Sequence, residues 1–214
     1  MTVVLASGSP QRREILEKLG VTFEIVVPGV DELTGGDPEV EVLENAHRKA
    51  RAVHDAISRA GGAVGGPTPE EALATGRGGG SPAATGPARL IVACDTDVVL
   101  DGKALGKPAD ADEARSYLDR MSGRAHQVLS GLAVLVGDEE RSGLESTTVV
   151  FRDLSDVEKA RYVDFGEWEG RSGGYAIQTL GSTLVERIEG SVSNVVGLPV
   201  GLLLELAPEL FGRD

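Results

Sequence analysis

The sequence predicts an α/β protein with a mixed central sheet flanked by helices. Three observations lead there. Short apolar runs of strand length are interspersed with segments whose apolar residues recur every three or four positions. The two kinds of segment do not follow a strict strand-helix repeat. Two alternating runs, residues 127–136 and 141–151, face each other across Gly137-Asp138-Glu139 as a long antiparallel hairpin.

Taken in order, Val3-Val4-Leu5-Ala6 is a short buried strand that leads into Ser7-Gly8-Ser9-Pro10. Ile15, Leu16 and Leu19 then share a helical face; Ser9 is the expected N-cap, Pro10 the first helical residue and Gly20 the stop. Residues 23–27 read as a second strand. After the acidic loop Pro28-Gly29-Val30-Asp31-Glu32, a long helix is predicted over residues 38–60, with Val42, Ala46, Ala50, Val53 and Ile57 on one face. Residues 61–89 turn to Gly, Pro, Ala, Ser and Thr, cannot pack a core, and read as a flexible low-complexity insertion within one domain spanning residues 1–214. No Lys-Ser or Lys-Thr pair follows its glycines, so it is not a phosphate cradle. Strands resume at residues 90–93 and 98–100, the second ending in the hairpin signal Asp101-Gly102. A helix over 109–121 turns Ala114, Leu118 and Met121 inward. Another over 155–165 opens on Ser155 and Glu158, a capping-box pair. Residues 170–174 are a loop, 183–188 a strand, and 200–206 a closing apolar helix started by Pro199.

The balance of charge narrows function. With 34 acidic and 21 basic residues, net −13, the chain is not expected to bind polymeric nucleic acid or an anionic membrane. A small anion is still admissible, because a few local cations and backbone N–H groups outweigh a field that salt screens. The single cysteine, Cys94, in the apolar run Leu90-Ile91-Val92-Ala93-Cys94, reads as a buried thiol; with no export signal and no spanning segment, the expectation is a cytoplasmic protein.

Four segments carry candidate chemistry. Ser7-Gly8-Ser9-Pro10-Gln11-Arg12-Arg13 places two hydroxyls and a cation at a helix N-terminus, where free N–H groups and the dipole favour an anion and Arg12 can grip phosphate in bidentate fashion. By itself it is a weak signal, and an ordinary N-cap with solvated arginines is the default. In Cys94-Asp95-Thr96-Asp97, carboxylates stand at the end of a strand read as buried, a costly place for an acid unless it is paired or metal-bound. The bland alternative is that Asp95 caps a turn, and Asp97 is the weaker candidate. Leu105-Gly106-Lys107-Pro108 restrains a lysine just before a helix, while Lys49 on the long helix has an exposed position as its default. Glu32 can join Asp95 in a Mg²⁺ site, since that ion takes one or two carboxylates and completes its shell with water and phosphate oxygens. In Gly173-Gly174-Tyr175-Ala176-Ile177-Gln178 the glycines admit a ligand and Gln178 offers a donor and an acceptor to a base edge. His47, His54 and His126 have no metal-like spacing.

In order along the chain, Ser7-Gly8-Ser9-Pro10-Gln11-Arg12, Cys94-Asp95-Thr96, Gly106-Lys107-Pro108, Ser122-Gly123-Arg124-Ala125-His126, Tyr175-Ala176-Ile177-Gln178 and Val196-Gly197-Leu198-Pro199 resemble the Maf family over nearly the whole sequence, the insertion apart. The resemblance implies two lobes with a cleft, similar to inosine triphosphate pyrophosphatases, and often a homodimer. It implies hydrolysis of a nucleoside triphosphate, dTTP or UTP, to the monophosphate and pyrophosphate with a divalent metal, Mg²⁺ or Mn²⁺. Asp95 matches the proton acceptor; Ser7, Ser9, Arg12, Lys49 and Lys107 fall to phosphate binding; Glu32 and Asp95 fall to the metal. Three positions mark base preference, occupied by Arg, Thr and Gln in dTTP/UTP forms and by Trp, Gln and Glu in 7-methyl-GTP forms. Here they are Gln11, Thr96 and Gln178, so two favour dTTP and UTP while Gln11 departs from both patterns. The resemblance also carries a second role, a nucleotide-binding regulator of septum formation with little hydrolysis. A third reading, an interaction module using the acidic surface and the insertion, needs no cleft.

Overall fold

The computed structural model describes residues 2–62 and 89–212. The insertion expected over 61–89 falls, from residue 63 to residue 88, outside the described residues. The elements are β1 (Thr2–Leu5), α1 (Pro10–Lys18), β2 (Phe23–Ile25), α2 (Pro38–Gly62), β3 (Arg89–Leu100), β4 (Lys103–Ala104), α3 (Ala111–Met121), β5 (Ala125–Val136), β6 (Glu139–Phe151), α4 (Asp156–Phe165), β7 (Val185–Glu189), α5 (Val192–Val196) and α6 (Val200–Leu206). Among the described residues, one seven-stranded sheet runs β2-β1-β3-β5-β6-β7, with β4 paired to β3. β1 is parallel to β2 and β3, and the other pairings are antiparallel, so the sheet is mixed as expected.

Local chemistry accounts for most boundaries. Pro10 opens α1 and Gly20, at φ +72°, lets the chain turn away after it. Asp110 caps α3 by accepting from Glu113 N. Ser155 and Glu158 form the complete capping box of α4. Asp101 and Gly102 both take positive φ, 54° and 74°, the requirement of a type I′ hairpin between β3 and β4.

The largest departure from expectation is β3. Residues 90–93 and 98–100 are not two strands with acids between them; they belong to one 12-residue strand, and Asp95 stands in its middle. Pairing with β5 at ten successive positions, Leu90↔Val136 to Val99↔Gln127, holds the backbone extended through the polar residues. The parallel partner β1, by contrast, runs out at Leu5↔Val92. Asp95 therefore lies just past the end of the parallel layer, where one edge of β3 is free and the Ser7 turn departs. A further difference is α5, which the glycines flanking it had concealed: its cap is the Ser191 side chain, accepting from Asn194 N.

The period of two along β3 distributes its side chains to opposite layers. Ile91 and Ala93 pack with Ala46, Ala50 and Val53 of α2. Leu90, Val92 and Cys94 pack on the other face with Leu16 of α1, Leu203 of α6 and Leu198, which precedes α6. Farther along, Val98 and Leu100 join a different cluster with Tyr117, Leu118 and Met121 of α3 and Tyr162 of α4. Asp95, Thr96 and Asp97 thus occupy the stretch of strand between apolar clusters, where side chains are half-buried. At Gly131, paired directly with Asp95, α2 comes down onto the sheet: a Cβ there would lie 2.6 Å from Leu43 Cα and closer still to the Val42 carbonyl. Among the described residues no helix is long and apolar enough to cross a membrane.

Candidate active site

A pocket of about 540 Å³, within the usual range for a small-molecule site, opens at this stretch of β3. Its wall includes Ser7, Ser9, Gln11, Arg12, Glu32, Lys49, Asp95, Thr96, Lys107 and Gln178, the residues to which the resemblance gives catalytic, phosphate, base or metal roles.

Asp95 points to the α2 layer, as its odd position in β3 requires. Its Oδ1 accepts from Lys49 Nζ at 2.5 Å and its Oδ2 from Asn45 Nδ2 at 3.0 Å. Asn45 and Lys49 are four apart on α2 and so share a face. The expectation of an exposed Lys49 is corrected: its side chain is 9% exposed, and its ammonium also meets Glu32 Oε1 at 2.5 Å. Asn45 exchanges two further hydrogen bonds with the Leu33 backbone, fixing the loop that brings Glu32 in. Two carboxylates therefore converge on the Lys49 ammonium. A hard divalent cation, which needs only one or two protein carboxylates when phosphate oxygens and water finish its shell, would have to share Glu32 and Asp95 with that lysine. Among the described residues no three His, Cys, Asp or Glu side chains gather into a metal-holding cluster.

Thr96 points the other way, toward α1. Arg12 is buried there, its Nε donating to Gly197 O at 2.8 Å, Nη1 to Ser7 Oγ at 3.1 Å and Nη2 to Thr96 Oγ1 at 3.1 Å. All three acceptors are uncharged. Among the described residues Arg12, Lys107 and Arg171 have no carboxylate within ion-pair distance. A buried guanidinium without a counter-ion costs several kcal/mol of desolvation, roughly, which an incoming anion offsets. Ser9 has the extended backbone of an N-cap but its hydroxyl does not cap α1; it donates instead to Gln11 Oε1 at 2.9 Å. The helix N-terminus is left without its side-chain cap, beside Ser7 and Arg12 in the pocket wall.

Asp97, ranked below Asp95 on sequence grounds, is tied to its surroundings more tightly than that ranking implies. Its Oδ1 accepts from Val98 N at 2.8 Å, from Gly106 N at 3.3 Å and from the Ser172 hydroxyl. Burial pushes its carboxyl above the ordinary range, and these hydrogen bonds oppose the shift. Lys107 is exposed at the pocket wall, one residue after Gly106, which takes φ +65°. Gln178 is exposed at the rim, at the end of a segment anchored by Tyr175, whose hydroxyl bonds His126 Nε2 at 2.7 Å, and by Ala176 N, which donates to the Tyr162 hydroxyl. Burial drives His126 down to about 4, so it is neutral at pH 7. Cys94 is fully buried beside Gly197 O.

Asn45, Ser130, Gly131, Arg171 and Ser172 escaped the sequence reading. Asn45 was within reach, four residues before Lys49 on the same helical face. Ser130, whose Oγ pairs with Thr96 Oγ1 at 2.8 Å, and Gly131 depend on strand register, which no local pattern encodes.

Together these features define an α/β protein whose central strand delivers an acid to one wall of a pocket and whose helix N-terminus delivers unpaired cationic charge to the other, a design for holding a phosphate-bearing ligand beside a carboxylate. Comparison with known proteins narrows the class. The family model described as Maf-like protein matches residues 2–210, and the chain belongs to the Maf family. A dTTP/UTP pyrophosphatase of Deinococcus radiodurans is 40% identical over 205 residues, covering 95% of this chain and 90% of that protein. Proteins of the same description from Nitratidesulfovibrio vulgaris and Pyrococcus furiosus are 41% and 37% identical, with 95% of this chain aligned in each case to 85% and 93% of theirs.

Proposed function

We propose that this protein hydrolyses the α-β phosphoanhydride of dTTP or UTP, giving the nucleoside monophosphate and pyrophosphate. The observation that carries the reading is the placement of Asp95: an acid in mid-strand, held by Lys49 and Asn45, in a pocket whose facing wall holds the unpaired Arg12. The end-to-end similarity to dTTP/UTP pyrophosphatases supports it. In this reading the apolar clusters on either side of the pocket act as two lobes and the pocket as the cleft between them.

Asp95 accepts the proton of the attacking water, with Lys49 and Asn45 keeping its carboxylate oriented. Arg12, Lys107 and the hydroxyls of Ser7 and Ser9 bind the phosphates and neutralise charge that grows on the leaving pyrophosphate, while Lys49, which the resemblance also assigns to phosphate, is in this reading engaged by Asp95 and Glu32. Glu32 and Asp95 would hold a divalent cation, Mg²⁺ or Mn²⁺, which supplies Lewis-acid neutralisation of the phosphate oxygens. Thr96 fixes the Arg12 fork, and Gln178 reads the base edge from the rim. Gln11, engaged with Ser9, shapes the helix start instead of supplying the cation that dTTP/UTP forms carry at this position.

The test is a screen of purified protein against common and modified nucleoside triphosphates with Mg²⁺ or Mn²⁺, with and without a chelator. Metal-dependent release of pyrophosphate from dTTP and UTP is expected, and Asp95→Asn should lower kcat by about 10²–10⁴-fold, the usual weight of a general base. No turnover on any nucleotide, or a fully active Asn variant, overturns the reading.

A further inference from the structure

Two cations at the pocket wall, Lys107 and Arg171, lie on separate turns that a single carboxylate joins. Asp97 Oδ1 gathers hydrogen bonds from its own strand at Val98 N, from the Gly106-Lys107 turn at Gly106 N, and from the Ser172 hydroxyl. The turns are also bonded directly, Gly173 N donating to Gly106 O at 2.7 Å. Packing closes the joint: a Cβ on Gly173, at φ +70°, would lie 2.6 Å from the Val98 side chain. Asp97 is thus engaged with backbone amides and a hydroxyl, and leaves both neighbouring cations without a carboxylate. Arg171 is half-buried in the pocket wall, its Nε donating to Glu167 O at 2.7 Å, which uses one edge of the guanidinium and leaves the terminal nitrogens to a ligand.

We infer that Arg171 is a binding residue for the terminal phosphates of the substrate, paired with Lys107, and that Asp97 is a positioning residue that holds the two turns at one separation. The inference rests on the pyrophosphatase reading. The acids in the same wall do not cancel these cations: Asp95 and Glu32 are engaged by Lys49, and Glu41 accepts from Gly36 N. A planar guanidinium suits the paired oxygens of a pyrophosphate group.

Calorimetric binding of inorganic pyrophosphate and, separately, of UMP, each with Mg²⁺, tests this without requiring turnover. For Arg171→Gln the dissociation constant of pyrophosphate should rise about 10- to 100-fold, the range of a lost charge-assisted hydrogen bond, with UMP within twofold of wild type. Asp97→Ala should reproduce that selective loss, and Asp97→Asn, which keeps an acceptor oxygen, should restore most of it. Unchanged pyrophosphate binding in Arg171→Gln, or equal weakening of both ligands, overturns the assignment of Arg171; wild-type behaviour of Asp97→Ala, or equal loss in the Asn and Ala variants, overturns that of Asp97. If wild-type protein hydrolyses dTTP or UTP while pyrophosphate binding ignores Arg171, only this inference fails. If wild-type protein hydrolyses no nucleotide, the reading beneath it fails too. Should Asp97→Ala not fold, Ser172→Ala removes one bond of the same joint in its place, wild-type pyrophosphate binding then overturning the assignment of Asp97, and the half-exposed Arg171→Gln variant still decides for Arg171.

Discussion

Replacing Gly131 by alanine adds one methyl group at the place where helix and sheet touch, and should cost far more activity than its size implies. The new Cβ would stand 2.6 Å from Leu43 Cα, and nearer to the Val42 carbonyl. Carbon atoms normally rest about 3.5–4.0 Å apart, so α2 must retreat by roughly 1 Å. Both obstructing groups are backbone, and no rotamer change relieves them. Overpacking of this kind costs about 1–3 kcal/mol, and a chain of this length loses about 2–4 °C in Tm per kcal/mol. The effect on turnover is larger because Gly131 is paired with Asp95, and α2 carries both of the Asp95 partners. A 1 Å displacement takes Asn45 from 3.0 Å out of hydrogen-bonding range of the carboxylate and stretches the 2.5 Å Lys49 contact to the limit of that range, and misplacements of that size cost about 10²-fold. Steady-state kinetics on dTTP should be measured at least 15 °C, roughly, below the variant's own Tm, so that lost folding is not counted as lost catalysis. A kcat/KM within twofold of wild type at an unchanged Tm would refute the argument that helix-sheet separation sets the geometry of Asp95.

Two other consequences are open to simple measurement. Burial lowers His126 from 6.5 to about 4, so the unfolded chain binds the extra proton first as pH falls. Its contribution to stability is therefore complete above about pH 6.5 and is lost by about pH 4, a change of roughly 3 kcal/mol in denaturant titrations; a His126→Phe variant with the same slope over that window would exclude the histidine as its source. Gln178→Ala should leave Tm unchanged, because the side chain is exposed, yet reduce discrimination of dTTP and UTP against CTP and GTP by about 10-fold or more, the weight of one lost polar contact to a base. Unaltered ratios of kcat/KM across the four nucleotides would remove Gln178 from base recognition.

Much of the architecture was legible in the chain because its causes are local. Capping residues, the Asp101-Gly102 turn and apolar spacing depend on neighbours within a few positions, and the elements predicted from them are present with shifted ends. The candidate site was legible as motifs: Ser7, Arg12, Asp95, Lys107 and Gln178 each sit in short segments with recognisable chemistry, and all of them line one pocket. Lys49 was a weaker signal, since a lysine on an amphipathic helix is exposed by default, and only its position opposite β3 buries it.

What tertiary structure alone decided is how these segments meet. The continuity of β3 through Cys94-Asp95-Thr96-Asp97 came from ten pairings with β5, whose partners lie 28 to 46 residues away in sequence, and it assigned Asp95 to the α2 wall and Thr96 to the α1 wall by alternation. Register placed Gly131 beside Asp95, and the fold brought Asp97, Gly106 and Ser172 into one joint. The sequence by itself determined which residue types and turns were available, because those depend on propensity and short-range bonding. It left the pairing of distant segments undetermined, because strand register and helix approach are properties of the packed whole.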